Sequence, residues 1–299
     1  MRFRAIEEVL AVHGAEPFLC EGENMKKKGM RIALGIFAGI VLFMILPPLG
    51  TLRSMAVMSV YSAYCQQDSI EKHMGMRLRI PGGMETGERD WYPMTLFYDA
   101  SEEFSSYIGK EVRLNIYYNF PAFDIWKGSS WIYDPDSPYY TSFYGAYLVE
   151  GGAGFGFDEA GDIDTEEAAQ VIWFDLFRLV LDDFGLSEQH AVFAWEEENR
   201  KEVSYYANVE GWQQIDGRLE VNGAGHHPRD FCLSYLQYGK PAEGPVEAFA
   251  PVQMHGRILG RYFAEEDVSM FFYILSGDPT VLEDCDRRIL SHSQVICVN

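Results

Sequence analysis

The stretch Gly156–Glu167, GFDEAGDIDTEE, carries a grouping of carboxylates that could hold a metal ion. Set against the twelve-residue calcium loop, it has a carboxylate at the third position, a glycine at the sixth and Glu167 at the twelfth. Gly156 and Ala160, however, stand where the first and fifth ligands belong. Capping of the helix that follows explains two of the carboxylates without any metal. The sequence therefore predicts at most a weak calcium site, with these ligands: Asp158, Asp162, Asp164 and Glu167.

The segment Tyr117–Tyr147 is rich in aromatic residues, which make up twelve of its 31 positions. Exposed rings stack on sugar faces or on ligand rings, and the turn YDPDSPYY within this segment is the portion least able to be buried. The alternative is that most of these rings are core residues of strands. The sequence predicts a ligand-binding surface made of five residues: Trp126, Trp131, Tyr133, Tyr139 and Tyr140.

Several aspartates near this segment could supply the paired carboxylates of a glycosidase, although aspartates in turns more often only shape the backbone. The candidates are Asp124, Asp134, Asp136 and Asp158. No GxSxG or HExxH motif occurs in the chain. We therefore favour a non-catalytic binding or accessory domain for a cell-envelope ligand or an exported partner. A glycosidase-like cell-envelope hydrolase is the second hypothesis.

The charge of the chain is strongly acidic, with a formal net charge of −21. Residues 54–299 contain 17 basic and 40 acidic residues. Such a surface repels nucleic acids and other polyanions at long range. It accommodates divalent cations or a basic partner, and an acidic surface that only keeps the protein soluble is the simpler interpretation.

The elements that must position these residues follow from hydrophobic periodicity. Apolar residues recur at helical spacing in DTEEAAQVIWFDLFRLVLDDF and again after Asp278–Pro279, whereas alternating segments such as EVRLNIYYN are typical of strands. The sequence predicts an α+β fold of mainly antiparallel sheet with two principal helices, at about 164–184 and 279–291. This domain is expected to cover residues 93–299, with two halves at about 93–186 and 187–299.

The N-terminal part contains an uncharged run, Ile32–Leu52, preceded by a cluster of basic residues at 26–31. As one helix, the run would span about 30 Å, the thickness of a bilayer core. The sequence therefore predicts a signal-anchor transmembrane segment within 25–53, which Pro47 and Pro48 suggest is not cleaved. The positive-inside rule places the N-terminus in the cytoplasm and the C-terminal domain outside the cell membrane.

The segments around this run have their own expectations. Residues 1–24 are expected to be either sequence that lies upstream of the true start of translation or a short cytoplasmic tail. Residues 54–92 are expected to form a juxtamembrane helix and loop. Gly35 and Gly39 form a GxxxG pattern, which lets two helices approach closely. The sequence thus predicts weak homodimerisation through these glycines.

Overall fold

The structure, a computed structural model, describes residues 23–45, 50–124, 129–177, 181–182, 186–224 and 249–297. The chain divides into two compact units, residues 1–44 and 45–299. The helices are α1 (Glu23–Ile45), α2 (Gly50–Cys65), α3 (Ile70–His73), α4 (Gly83–Thr86), α5 (Ser101–Ile108), α6 (Thr165–Leu176) and α7 (Pro279–Arg288). The strands are β1 (Met76–Arg79), β2 (Leu96–Asp99), β3 (Arg113–Asn119), β4 (Phe123–Asp124), β5 (Ser129–Ser130), β6 (Phe143–Glu150), β7 (Phe193–Tyr206), β8 (Val209–Asn222), β9 (Pro251–Phe263), β10 (Val268–Ser276) and β11 (Gln294–Cys297).

The transmembrane segment predicted at residues 32–52 is wrong. Within the parts of the chain that the structure describes, no helix is both long enough and apolar enough to cross a membrane. The prediction treated Ile32–Leu52 as one continuous helix, but α1 ends at Ile45, two residues before Pro47. The part of the run that lies in α1, residues 32–45, covers only about 21 Å, which is less than the thickness of a bilayer core. The extracytoplasmic location inferred from the same run stays a prediction.

The second unit is built on a seven-stranded sheet in the order β2-β3-β6-β10-β9-β8-β7. Every pairing described in it is antiparallel, which confirms the predicted α+β class with mainly antiparallel sheet. Strands β7 to β10 form a meander of neighbours in sequence, and β10 then pairs with β6. Strands from both predicted halves therefore hydrogen-bond within one sheet.

Both faces of the sheet are covered by apolar layers. Along β10, Phe271 and Tyr273 point to a face that is packed against α5 and α6. The alternate residues Phe272 and Ile274 point to the opposite face, which is packed against α7 and the two-stranded β1–β11 ribbon. We call these the α6 face and the α7 face. Strand β10 is buried on both sides, and its nearly continuous apolar sequence follows from this position.

The two principal helices begin at aspartates that cap them. The Asp164 carboxylate accepts a hydrogen bond from the Glu167 N–H (3.0 Å), and that of Asp278 accepts one from the Thr280 N–H (2.8 Å). Pro279 occupies the first turn of α7, where its missing N–H costs nothing. Both helices thus start where predicted, and α7 ends at Arg288, short of the predicted residue 291.

A buried arginine fastens α7 to the sheet. The Arg257 guanidinium, on β9, donates to carboxylates of Asp216 on β8 (2.6 Å) and of Glu283 (2.7 Å) and Asp286 (2.6 Å) on α7. Burial acts to lower the pKa of Arg257, but these three carboxylates outweigh it and the pKa is raised overall. The contacts fix the position of α7, and α7 forms one wall of the site described next.

Candidate functional site

The loop before β2 is held rigidly against the chain that follows β3. The Tyr92 N–H donates to the Phe120 carbonyl (2.8 Å), and the Ala122 N–H donates to the Asp90 carbonyl (2.7 Å). Between these two hydrogen bonds, Trp91 forms an isolated antiparallel bridge with Pro121. The backbone of Asp90 and Trp91 is therefore fixed from both sides, which sets the direction of their side chains.

An aromatic group gathers around Trp91 on the α7 face. Tyr139 meets Trp91 edge to face at a centroid distance of 5.6 Å, and Trp131 stacks on Tyr139 at 5.9 Å. Tyr144 also meets Trp91 edge to face, at a centroid distance of 4.9 Å. The Tyr139 hydroxyl donates to the Asp90 carboxylate at 2.9 Å. Ring packing of this kind, with one charged hydrogen bond, holds Tyr139 in a single orientation.

These residues and α7 enclose a cleft of about 270 Å³, which we call the acidic cleft. Its apolar floor is formed by Trp91, Val281, Cys285 and Ile289. Its polar lining includes the four carboxylates of Glu88, Asp90, Asp278 and Asp284 and one guanidinium, that of Arg288. Carboxylates thus outnumber the single cation around an apolar and aromatic base.

The ion pairs that Arg288 makes at the cleft mouth are loose and exposed, whereas Asp284 also pairs closely with Arg287, at 2.5 Å. Arg288 approaches Glu88 at 3.4 Å and Asp284 at 3.8 Å, and its side chain is 51% exposed. Exposed pairs of this kind contribute less than about 1 kcal/mol. Arg288 can therefore leave these carboxylates at little cost when another cation arrives.

The Tyr139 hydroxyl and the Cys285 thiol both line the cleft, and both stay in their neutral forms. Burial, the hydrogen bond to Asp90 and the neighbouring carboxylates raise the pKa of Tyr139. Burial, together with Asp286 and Glu88, raises the pKa of the Cys285 thiol. A thiol in this setting is not a nucleophile, because the thiolate is the reactive form. The Tyr139 hydroxyl serves as a hydrogen-bond donor and Cys285 as part of the floor.

The five aromatic residues predicted to bind a ligand are divided by the structure. Trp131 and Tyr139 are half-buried and stacked, and Tyr139 lines the acidic cleft. Tyr133 is 1% exposed and belongs to the core of the α6 face. Tyr140 is half-buried and packs over the backbone at Gly223. Trp126 lies outside the described residues.

The four predicted calcium ligands all accept hydrogen bonds from the protein itself. The Asp158 carboxylate accepts from two backbone N–H groups of its own loop at 2.8 and 3.0 Å, and Asp162 from a glutamine side chain at 3.0 Å. Asp164 caps α6, while Glu167 pairs with Lys110 at 2.6 Å. Among the described residues, no group of three or more His, Cys, Asp or Glu side chains is arranged to hold a metal ion. The calcium site stays a prediction.

The carboxylates considered for hydrolysis lie in turns. The Asp134 carboxylate accepts a hydrogen bond from the Asp136 N–H at 3.2 Å, within one turn. Asp158 shapes the loop before α6, and the side chain of Asp124 lies outside the described residues. The glycosidase-like pairing also stays a prediction, as does homodimerisation through Gly35 and Gly39.

Sequence reasoning missed most of the acidic cleft. It placed Glu88, Asp90 and Trp91 in the juxtamembrane helix and loop of residues 54–92, and Asp284 only in the helix predicted at about 279–291. The one local signal was ERDW, in which two carboxylates closely precede a tryptophan in a loop. The chain matches no protein-family model, no curated protein and no solved structure.

Proposed function

We propose that this protein is a non-catalytic binding domain whose acidic cleft takes a cationic group, an ammonium or a guanidinium, of a partner molecule. The observation that carries the proposal is the set of four carboxylates around a floor containing Trp91, with Tyr139 beside it. A cation in such a place gains charge pairing with the carboxylates and lies beside the half-buried ring of Tyr139. The cell-envelope ligand or exported partner expected from the sequence would present this group.

The shape and chemistry of the cleft support binding rather than catalysis. Its volume suits one side-chain head group, and its apolar floor suits the methylene stem of a lysine or arginine. Its thiol and phenol are kept neutral by their surroundings. The net charge of −21 raises the local concentration of cations, so binding should weaken as salt is added.

The test uses a fluorescent, end-capped hexalysine peptide and the full chain. We expect saturable binding, and we expect the double variant Glu88→Gln, Asp284→Asn to weaken it about tenfold, roughly 1.4 kcal/mol. The matched control is Glu196→Gln, Glu202→Gln, which removes the same charge from the exposed strand β7. That control should change the affinity less than about twofold, as expected for screened surface charge.

Two results would contradict the proposal. Equal weakening by the two double variants would mean that hexalysine follows the net charge and not the cleft. Absence of saturable binding at low salt would mean that the cleft takes no cation.

A further inference from the structure

Two more depressions adjoin the acidic cleft on the same face of the second unit. The first, of about 460 Å³, is lined by Arg79, Glu85, Arg288 and His292 among others, and we call it the middle depression. The second, of about 500 Å³, is lined by Lys72, Arg77, Arg79 and Tyr117 among others, and we call it the basic pocket. Each is larger than the acidic cleft.

Shared lining residues show that the three depressions are contiguous. Arg288 lines both the acidic cleft and the middle depression. Arg79 lines both the middle depression and the basic pocket. We call the three neighbouring depressions together the groove, in which the middle depression links the acidic cleft at one end to the basic pocket at the other.

The ribbon of β1 and β11 forms a rigid side of the groove. On β11, the Val295 N–H donates to the Ala207 carbonyl at 2.9 Å, which joins the ribbon to the β7–β8 turn. On β1, the Leu78 N–H donates to the Glu71 carboxylate. Glu71 is only 3% exposed and also accepts a hydrogen bond from the Gln66 side chain at 2.9 Å. The Glu71 carboxylate thus accepts two hydrogen bonds where it lines the basic pocket.

Within the described part of the chain, two cations of the basic pocket have no ion-pair partner, although the domain as a whole is acidic. Among the described residues, neither Lys72 nor Arg77 makes an ion pair, whereas the neighbouring Arg79 pairs with Glu85 at 3.0 Å. Three basic side chains, Lys72, Arg77 and Arg79, line the pocket with one carboxylate, that of the buried Glu71. Basic groups thus outnumber carboxylates in this pocket, although the reverse holds for residues 54–299 as a whole. The Tyr117 hydroxyl, whose pKa is raised by burial and by Glu71, stays a neutral donor in the same pocket.

We infer that the groove binds an extended polypeptide segment with a basic residue at one end and a carboxylate at the other. This inference rests on the proposed function, because the acidic cleft would take the basic residue. A polymer of a single charge sign, such as a nucleic acid or an anionic glycan, is repelled at the acidic end. A polypeptide can carry both charges, and opposite charges at the two ends of the groove fix its direction.

The experiment compares three end-capped, fluorescent peptides by anisotropy with the full chain. The first peptide carries lysines only. The second carries a lysine near its N-terminus and a glutamate near its C-terminus, and the third carries them in the reverse order. Neutral spacers of about three to seven residues cover roughly 10–23 Å when extended. We expect one of the two mixed orders to bind about tenfold more tightly than the lysine-only peptide at its best spacer.

Variants at the basic pocket test which end of the groove gives this advantage. Lys72→Gln with Arg77→Gln should remove the gain from the glutamate and leave the lysine-only peptide unchanged. Both side chains are exposed, so the variant is expected to fold. The matched control, Lys201→Gln with Arg218→Gln, removes two cations from β7 and β8 and should leave the gain intact.

The outcomes separate this inference from the proposed function. Binding of lysine-only peptide without any gain from glutamate, in either order and at every spacer, overturns the groove and leaves the acidic cleft standing. Equal gains for both orders overturn the directional fit, and tighter binding of a polyglutamate probe than of the mixed peptides overturns the role of the acidic end. No saturable binding of the lysine-only peptide overturns the proposed function itself.

Discussion

Asp175 offers the sharpest test of the energetics of this fold. It lies on α6 and is 2% exposed within the apolar layer of the α6 face. The Tyr273 hydroxyl donates to one of its oxygens at 3.4 Å, and the other oxygen has no hydrogen-bond partner among the described residues. Burial disfavours the charged carboxylate and raises its pKa to about 7, although the Tyr273 bond acts in the opposite direction.

The sign of the resulting pH dependence follows from proton binding. The unfolded chain releases this proton near the ordinary value of 3.8, whereas the folded protein keeps it until about pH 7. The folded state therefore binds more protons between these values, and its stability falls as the pH rises through them. The gap corresponds to about 4 kcal/mol, fully present as a penalty above pH 7 and absent below pH 4.

The substitution Asp175→Asn removes the charge while nearly preserving shape. We expect the free energy of unfolding of the variant, relative to the native protein, to rise by up to about 4 kcal/mol between pH 4 and pH 8. Urea unfolding across this range measures it, and any constant cost of the amide cancels in the comparison. The control Asp136→Asn, in an exposed turn, should show no such trend. Parallel pH profiles for the native protein and Asp175→Asn would refute the reasoning.

Three further predictions concern single positions. Arg257→Met should lower the free energy of unfolding by about 2 kcal/mol, because the partly buried carboxylates of Asp216 and Asp286 lose their cation. Arg218→Met, which removes only an exposed ion pair, should cost less than about 1 kcal/mol, and urea unfolding of both variants checks this. Gly145→Ala should cost at least about 3 kcal/mol in the same assay, since a Cβ there collides with the Tyr117 carbonyl oxygen on the neighbouring strand. Calcium titration calorimetry should show no saturable heat below about 1 mM, because the Glu167 carboxylate already pairs with Lys110 and accepts a hydrogen bond from the Gly156 N–H. Saturable heat that Glu167→Gln abolishes would contradict this prediction and support the calcium site.

Features with a local cause were predictable from the sequence. The start of α6 follows from Asp164 as a cap, and that of α7 from Asp278 with Pro279 in the first turn. Alternation in EVRLNIYYN predicted β3 because adjacent side chains of a strand point to opposite faces. In each case the deciding residues lie within one turn or one strand of each other.

Features that depend on distant residues or on helix continuity were not predictable. The apolar composition of residues 32–52 gives no measure of where a helix stops, and the end of α1 at Ile45 decided that question. The position of β10 between β6 and β9 depends on side-chain packing across about 120 residues of sequence. Most of the acidic cleft could not be predicted for the same reason, since Asp90 and Asp284 meet only in the folded chain.

Different side chains of α7 hold this helix in the fold and line the acidic cleft. Leu282 and Cys285 lie on its buried stripe. Glu283 and Asp286 project from one flank to Arg257, while Asp284 projects from the other flank into the acidic cleft. Because residues three apart share a flank and adjacent residues do not, the structural and the binding carboxylates are separated by the stripe itself. Substitutions at Asp284 should therefore change ligand affinity without lowering stability, and those at Asp286 should do the reverse.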